Sequence, residues 1–258
     1  PSLPYFRSTI MFTAKPNGIR GLLIKGLSTQ AARGNRRTGE RVLRTSHAIG
    51  RHMASLREVG ERALVANLAR VIRPCGRHGP GDDAVEVDGR DVLVCTDLIT
   101  FERHFPRGMS FEQFGWTAAA VNLSDIASMG ARPLGVLIAA ALPGDCDESD
   151  LYDLVSGADQ CAEFCETHII GGDTKEGPGV VAGTALGTTD GRPPLTRYGA
   201  APGDIVAVTG ALGSAAAGYF ALKDGLEDDS TFSLYVPVPR IKEGLELSFS
   251  GAVTSCID

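Results

Sequence analysis

Residues 111–142 read FEQFGWTAAAVNLSDIASMGARPLGVLIAAAL. This stretch predicts a helix from about Phe111 to Met129, closed by Gly130 and by Pro133 just beyond it. Leu134 to Leu142 then forms an apolar run of strand length. Working downstream, Asp150 to Glu166 reads as a second helix, with Asp147, Glu148 and Asp150 suited to its positive N-terminus. His168–Ile170 and Val180–Leu186 read as short strands. Upstream, Ala84–Val87 and Val92–Thr96 flank the turn Asp88-Gly89-Arg90, a hairpin signal ending in Asp97. A glycine loop at 76–82 separates it from an amphipathic helix at about 55–72, with Leu56, Val59, Ala63, Leu64 and Leu68 on one face. The turn-rich DGRPPLTRYGAAPGD at 190–204 reads as a domain junction. Beyond it a second unit begins with a strand at Asp204–Thr209 and a helix at Gly213–Leu222. It continues through the acidic GLEDDS loop and PVPRIKEGLEL to SCID, and as read it is too short to be a complete domain.

Composition sets the class. The chain has 258 residues, 43% of them hydrophobic, which is enough for a sizeable core. Its 32 glycines and 14 prolines favour many tight connections between short strands and helices over a helical bundle. No apolar run approaches a membrane span in length. The net charge of −6 conceals a division, because residues 1–52 carry ten Lys or Arg and the single acid Glu40. That basic tail could be a transit peptide or an arm for a polyanion. With no core-forming period in it, the expectation is a leader that is disordered or not native, before a folded part that starts near Met53. The six cysteines (75, 95, 146, 161, 165, 256) form no CxxC pair, so reduced thiols are expected. Cys161 and Cys165 share a helix face and read as buried packing.

The chemistry lies in the acids. Asp82, Asp83, Asp97, Asp125, Asp173 and Asp258 each adjoin an apolar run or glycines, spread over most of the chain. That placement lets them converge at one sheet edge, where mutual repulsion calls for divalent cations. Asp82 is expected to point away from Asp83 and to stand behind the cluster. Asp145, Asp147, Glu148 and Asp150 need no ligand at a helix start. Trp116 is spaced with Ala120 and Leu123 as core. Sequences of the type GxxxxGK[ST], HRD and DFG are lacking. TGALGSAAAG at 209–218 lacks the third glycine of a dinucleotide loop and reads as a tight strand-to-helix turn.

An ordered series of segments runs from GDD at 81–83 through TD at 96–97, His104-Phe105 and NLSDIASMGARP at 122–133. It continues with GGDT at 171–174, LTRYGAAPGD at 195–204, VTGALG at 208–213, PRIKEG at 239–244 and SCID. In this order the segments resemble the AIR synthetase-like (PurM-like) superfamily of ATP-dependent phosphoryl-transfer enzymes, and within it the thiamine-monophosphate kinase group. The resemblance implies an α/β (α+β) fold. A PurM-like N-terminal domain at 53–198, a mixed sheet with flanking helices, would be followed by a truncated second α/β domain at 199–258, with 1–52 as leader. It implies transfer of the γ-phosphoryl of ATP to thiamine monophosphate, assisted by several Mg²⁺ ions and without a certain catalytic base. Asp83, Thr96, Asp97, Asp125, Asp173 and Asp258 would be the metal ligands. Gly172, Asp173 and Arg197 would meet ATP, and His104 the substrate phosphate; a histidine capping a loop beside Phe105 is the alternative for His104. The resemblance further implies a cytoplasmic homodimer joined through the N-terminal domains, with no membrane or nucleic-acid partner.

Two departures accompany it. Cys95 stands where relatives have a hydroxyl residue, and the Ser-Asp-Gly that follows the terminal aspartate in the family is absent, so the chain as written is expected not to turn over alone. A hydrogenase-maturation or selenophosphate-synthesis type of enzyme, or an inactive nucleotide-binding fragment, is the alternative.

Overall fold

The computed structural model describes residues 9–19, 59, 63, 68, 82–87, 90–226 and 229–258. Eight strands and six helices among these residues are labelled in chain order. β1 is Met11–Ala14, β2 Val85–Glu86 and β3 Leu93–Thr100, followed by α1 at Phe101–His104 and α2 at Phe111–Ser128. Then come β4 (Arg132–Leu142), α3 (Glu148–Phe164), β5 (Ile169–Glu176), β6 (Val180–Thr188) and β7 (Ile205–Val208). The chain ends with α4 (Ser214–Lys223), α5 (Asp229–Tyr235), α6 (Ile241–Ser250) and β8 (Val253–Ile257).

The larger sheet has the order β2-β3-β6-β4-β5, and it is mixed: β4 and β5 pair parallel, while the other neighbours pair antiparallel. α2 begins where Ser110 and Gln113 exchange hydrogen bonds. Gln113 N donates to Ser110 Oγ at 3.2 Å and Ser110 N to Gln113 Oε1 at 2.9 Å. It ends before Gly130, whose φ of +66° suits a residue lacking a Cβ. α2 is buried nearly all round, because the sheet, α3 and α6 all press on it. Glycines set those distances. A Cβ on Gly115 would lie 1.8 Å from the Leu154 carbonyl oxygen, and one on Gly157 1.8 Å from that of Glu112, so α2 and α3 meet backbone to backbone. Gly244 brings α6 equally near Ala127. Trp116 behaves as core, its Nε1 donating to the Pro237 carbonyl at 2.6 Å.

Several sequence expectations change here. Asp97 lies in the middle of β3 and not at a strand end, because the pairing with β6 carries β3 on to Thr100. The short strand expected at His168–Ile170 continues through GGDT, since β5 runs along β4 to Glu176. Part of the acidic 225–230 stretch opens helix α5. The expected helix at 55–72 falls largely outside the described residues. Val59, Ala63 and Leu68 are helical in it, yet Ala63 and Leu68 are exposed, so the predicted apolar face is not buried at those positions. The largest change is at the N-terminus. Residues 11–14 do not form part of a disordered leader: they are the central strand of a second sheet, β7-β1-β8, with Ile10, Phe12 and Ala14 in the core at 0%, 1% and 0% exposure. Four residues pairing only with distant strands leave no local period to read.

Candidate active site

Asp83 is the centre of a polar junction beneath α2. Its carboxylate receives the Arg197 guanidinium on Oδ1, with Nε at 3.0 Å and Nη2 in close contact. Oδ2 receives the Ser128 hydroxyl at 2.8 Å and the Asp258 N–H at 3.2 Å. Ser124, one turn earlier on α2, donates to Asp258 Oδ1 at 2.6 Å. Asp82 accepts the Arg197 N–H at 3.1 Å, and burial raises its pKa above the ordinary carboxylate range. Asp82 thus supports the cluster from behind, as its adjacency suggested. The loop at 195–198, the segment before β2, helix α2 and the end of β8 are tied at one point.

Asp97 and Asp125 complete the inner group. β3 and β6 pair Asp97 with Gly183, and a Cβ on Gly183 would lie 2.1 Å from Asn122 Nδ2, so this row faces α2. Asn122 Oδ1 accepts the Asp97 N–H at 2.9 Å while its Nδ2 donates to the Ala118 carbonyl at 2.9 Å. Asp125, one turn beyond Asn122, has its pKa pushed up to about 9: burial comes first, then the charges of Asp97, Asp258 and Asp83. Asp125 is the site's most perturbed carboxyl, held close to three others from distant parts of the chain. Cys95 faces the same way and donates to the Asn122 carbonyl at 3.2 Å, its thiol held protonated by burial and by Asp125.

Thr96 and Asp173 do not join this group. Strand side chains alternate, so Thr96 lies on the opposite face, where its hydroxyl donates to the Gly183 carbonyl at 2.7 Å. In the next outward row, Leu98 pairs with Ala182, Ala182 with Ala139 and Ala139 with Asp173. Asp173 is exposed there and takes Lys175 at 2.7 Å, which lowers its pKa. The glycine at 172 answers to sheet packing, since a Cβ would sit 1.8 Å from the Ile138 carbonyl oxygen. Arg197, expected at ATP, pairs with Asp83. His104 Nδ1 accepts the Thr100 N–H at 3.0 Å, which places the ring proton on Nε2, and burial lowers its pKa. That contact is of the kind the capping alternative expects.

Asn122, Ser124 and Ser128 were not singled out from sequence. Their signal is a polar stripe with Asp125 at helical spacing on an otherwise apolar helix.

All the donors in the inner group are hard oxygens, which suit Mg²⁺. Among the described residues, no three His, Cys, Asp or Glu side chains are already gathered as a ready metal cage. The fit is therefore one of donor chemistry and buried like charge.

A mixed sheet backed by two helices, with carboxylates brought together from separate segments, defines a class. Residues 81–189 match the family described as AIR synthase related protein, N-terminal domain. More particularly, its relatives are thiamine-monophosphate kinases. The one from Methanospirillum hungatei JF-1 is 35% identical over 192 residues, covering 72% of this chain and 64% of that protein. The one from Mycobacterium tuberculosis H37Rv is 35% identical over 215 residues, covering 80% and 64%. The solved structure of AaThiL complexed with AMPPCP and TMP superposes with a TM-score of 0.70 at 27% identity, covering 77% of this chain and 65% of that one. The chain spans about two thirds of the length of these relatives.

Proposed function

We propose that this chain carries the phosphoryl-transfer site of a thiamine-monophosphate kinase, in which the γ-phosphoryl of ATP passes to the phosphate of thiamine monophosphate, giving thiamine diphosphate and ADP. One observation carries the reading: the Asp125 carboxyl is pushed up to about 9, by burial first and then by the charges of Asp97, Asp258 and Asp83. Like charge brought near a half-buried carboxyl in this way favours a cation, and polyphosphate chemistry brings one. The relatives named as these kinases, and a related protein complexed with AMPPCP and TMP, support the choice of substrates.

In this reading Asp97, Asp125 and Asp258 would hold Mg²⁺, with Asp83 beside them on Arg197. Bound Mg²⁺ supplies neutralisation of charge on the donor and acceptor phosphates. Asn122 fixes the β3 backbone beside Asp97, and Ser124 and Ser128 orient Asp258 and Asp83. His104 offers its Nε2–H to the acceptor phosphate. Thr96 and Asp173 serve from the other face of the sheet. That face bears Leu98 at 60% exposure and Leu137 at 36%, and among the described residues no helix packs on it. We assign it to a second copy of the chain, which makes the working unit a homodimer and brings Thr96 and Asp173 to the interface. The described cysteines are free, in keeping with work in the cytoplasm.

Calorimetric titration with AMPPCP tests this. Binding is expected to require Mg²⁺ and to disappear in Asp125→Asn. Binding of equal strength with and without Mg²⁺, or in the variant, overturns the reading.

A further inference from the structure

β1, the first of the described strands, lies between two strands that meet it from the far end of the chain. β7 and β8 both run antiparallel to β1, hence parallel to each other, and β1 fills the place between them. β8 ends one residue before Asp258, and Met11 pairs with Ile257 and Phe12 with Cys256. Phe12 and Cys256 are each 1% exposed, so this contact lies in the core.

We propose that residues 10–15 act as a positioning strand for Asp258, setting the register of β8 and so the place of that carboxylate in the candidate site. The inference rests on the metal-binding reading of Asp258 only for its consequence, not for its geometry.

Both ends of β1 are clamped. Ile10 N donates to Thr209 Oγ1 at 3.0 Å, and Thr209 N donates to the Ile10 carbonyl at 2.9 Å, fixing the strand to the end of β7. Thr13 Oγ1 lies 2.7 Å from Thr254 Oγ1 and 3.0 Å from Ser255 Oγ, cross-linking β1 to β8 through side chains. Lys15 Nζ meets Asp204 Oδ1 at 3.0 Å, and Asp204 Oδ2 takes the Thr254 hydroxyl at 2.8 Å, so β1, β8 and the segment before β7 share one junction. On its other side β8 is held by Cys256 N donating to the Thr196 carbonyl at 2.8 Å, next to Arg197.

Register decides the outcome for the carboxylate. A slip of one residue turns every side chain of a strand to the other face. Slipped β8 would take Asp258 away from Ser124 Oγ, which now donates to it at 2.6 Å, and its N–H away from Asp83. The Thr13 hydroxyl cross-links and the burial of Phe12 against slippage make β1 the ruler for that register. The basic segment expected from sequence to be disordered or not native thus holds a strand that shapes the acidic site from its far side.

The test uses the full chain. In Phe12→Asp, hydrogen exchange at residues 253–258 is expected to speed up at least about ten-fold while residues 111–128 keep their protection. Mn²⁺ affinity, read from the electron paramagnetic resonance signal of the free ion, is expected to fall about ten-fold, in line with the loss of groups that orient ligands. Thr13→Val, a gentler change, is expected to shift both readouts in the same direction, and Phe12→Leu to restore them. Unchanged exchange at 253–258 in both Phe12→Asp and Thr13→Val overturns the proposal, as does faster exchange with unaltered Mn²⁺ affinity. Failure of the unmodified chain to bind Mn²⁺ counts against the metal reading alone, and the exchange data then decide the role of β1.

Discussion

Replacing Asp125 by Asn should stabilise the protein in the absence of divalent ions, and increasingly so as pH rises. An unfolded aspartate titrates near 3.8, whereas burial and then the charges of Asp97, Asp258 and Asp83 push the folded Asp125 carboxyl up to about 9. Between those values the folded state keeps a proton that the unfolded chain has released. Stability from this group is therefore full below the unfolded pKa and is lost as pH rises toward the folded one. Each pH unit in that window is worth about 1.4 kcal/mol, so raising the pH from 5 to 8 should cost the unmodified chain up to about 4 kcal/mol relative to Asp125→Asn. For a chain of this size that is a melting-temperature gap opening by about 8 to 16 °C. Thermal melts of the two proteins, in chelator, at half-unit steps of pH measure it; groups that titrate alike in both cancel. Adding Mg²⁺ should then raise the melting temperature of the unmodified chain and not that of the variant, closing the gap. Parallel stability curves from pH 5 to 8 would refute the argument that Asp125 sits among uncompensated charges.

Three further outcomes follow from the packing and the charges. Gly157→Ala would place a Cβ 1.8 Å from the Glu112 carbonyl oxygen and force α2 and α3 apart, at a cost of about 1–3 kcal/mol in urea unfolding; an unchanged midpoint would show that the helices do not pack this closely. Arg197→Ala leaves the Asp83 side chain, 1% exposed, without its cation. The cost should be about 3 kcal/mol, at the low end for a buried pair because the arginine is itself about a third exposed, and a loss under about 0.5 kcal/mol would contradict the pairing. Leu98→Glu puts a charge on the uncovered sheet face, where Leu98 is 60% exposed; sedimentation should show a dimer for the unmodified chain and a monomer for the variant, and identical sedimentation removes that face as the interface.

How legible each element was follows from where its determinants lie. α2 could be read from residues 111–133 alone, because its apolar run, Gly130 and Pro133 are all local. β5 could not be read in full: Gly171, Gly172, Asp173 and Thr174 carry turn chemistry, and they are extended because β4 lies alongside at a distance only glycine allows at position 172. β1 was hidden for the same reason in a stronger form. Its four residues gain everything from strands about two hundred residues away, and the surrounding basic composition argues for a solvated tail.

The site divides along the same line. The chain positions of the acids were plain, since each adjoins an apolar run, but which of them share a space depends on the parity of each strand. Asp97 and Thr96 are neighbours in sequence and opposites in the sheet: Asp97 shares the Gly183 row under α2, and Thr96 shares the Thr184 row on the uncovered face. Parity then propagates across the ladder, through Ala182 and Ala139, to put Asp173 on the uncovered face as well. Two of the six expected ligands are thereby separated from the other four by the thickness of one sheet.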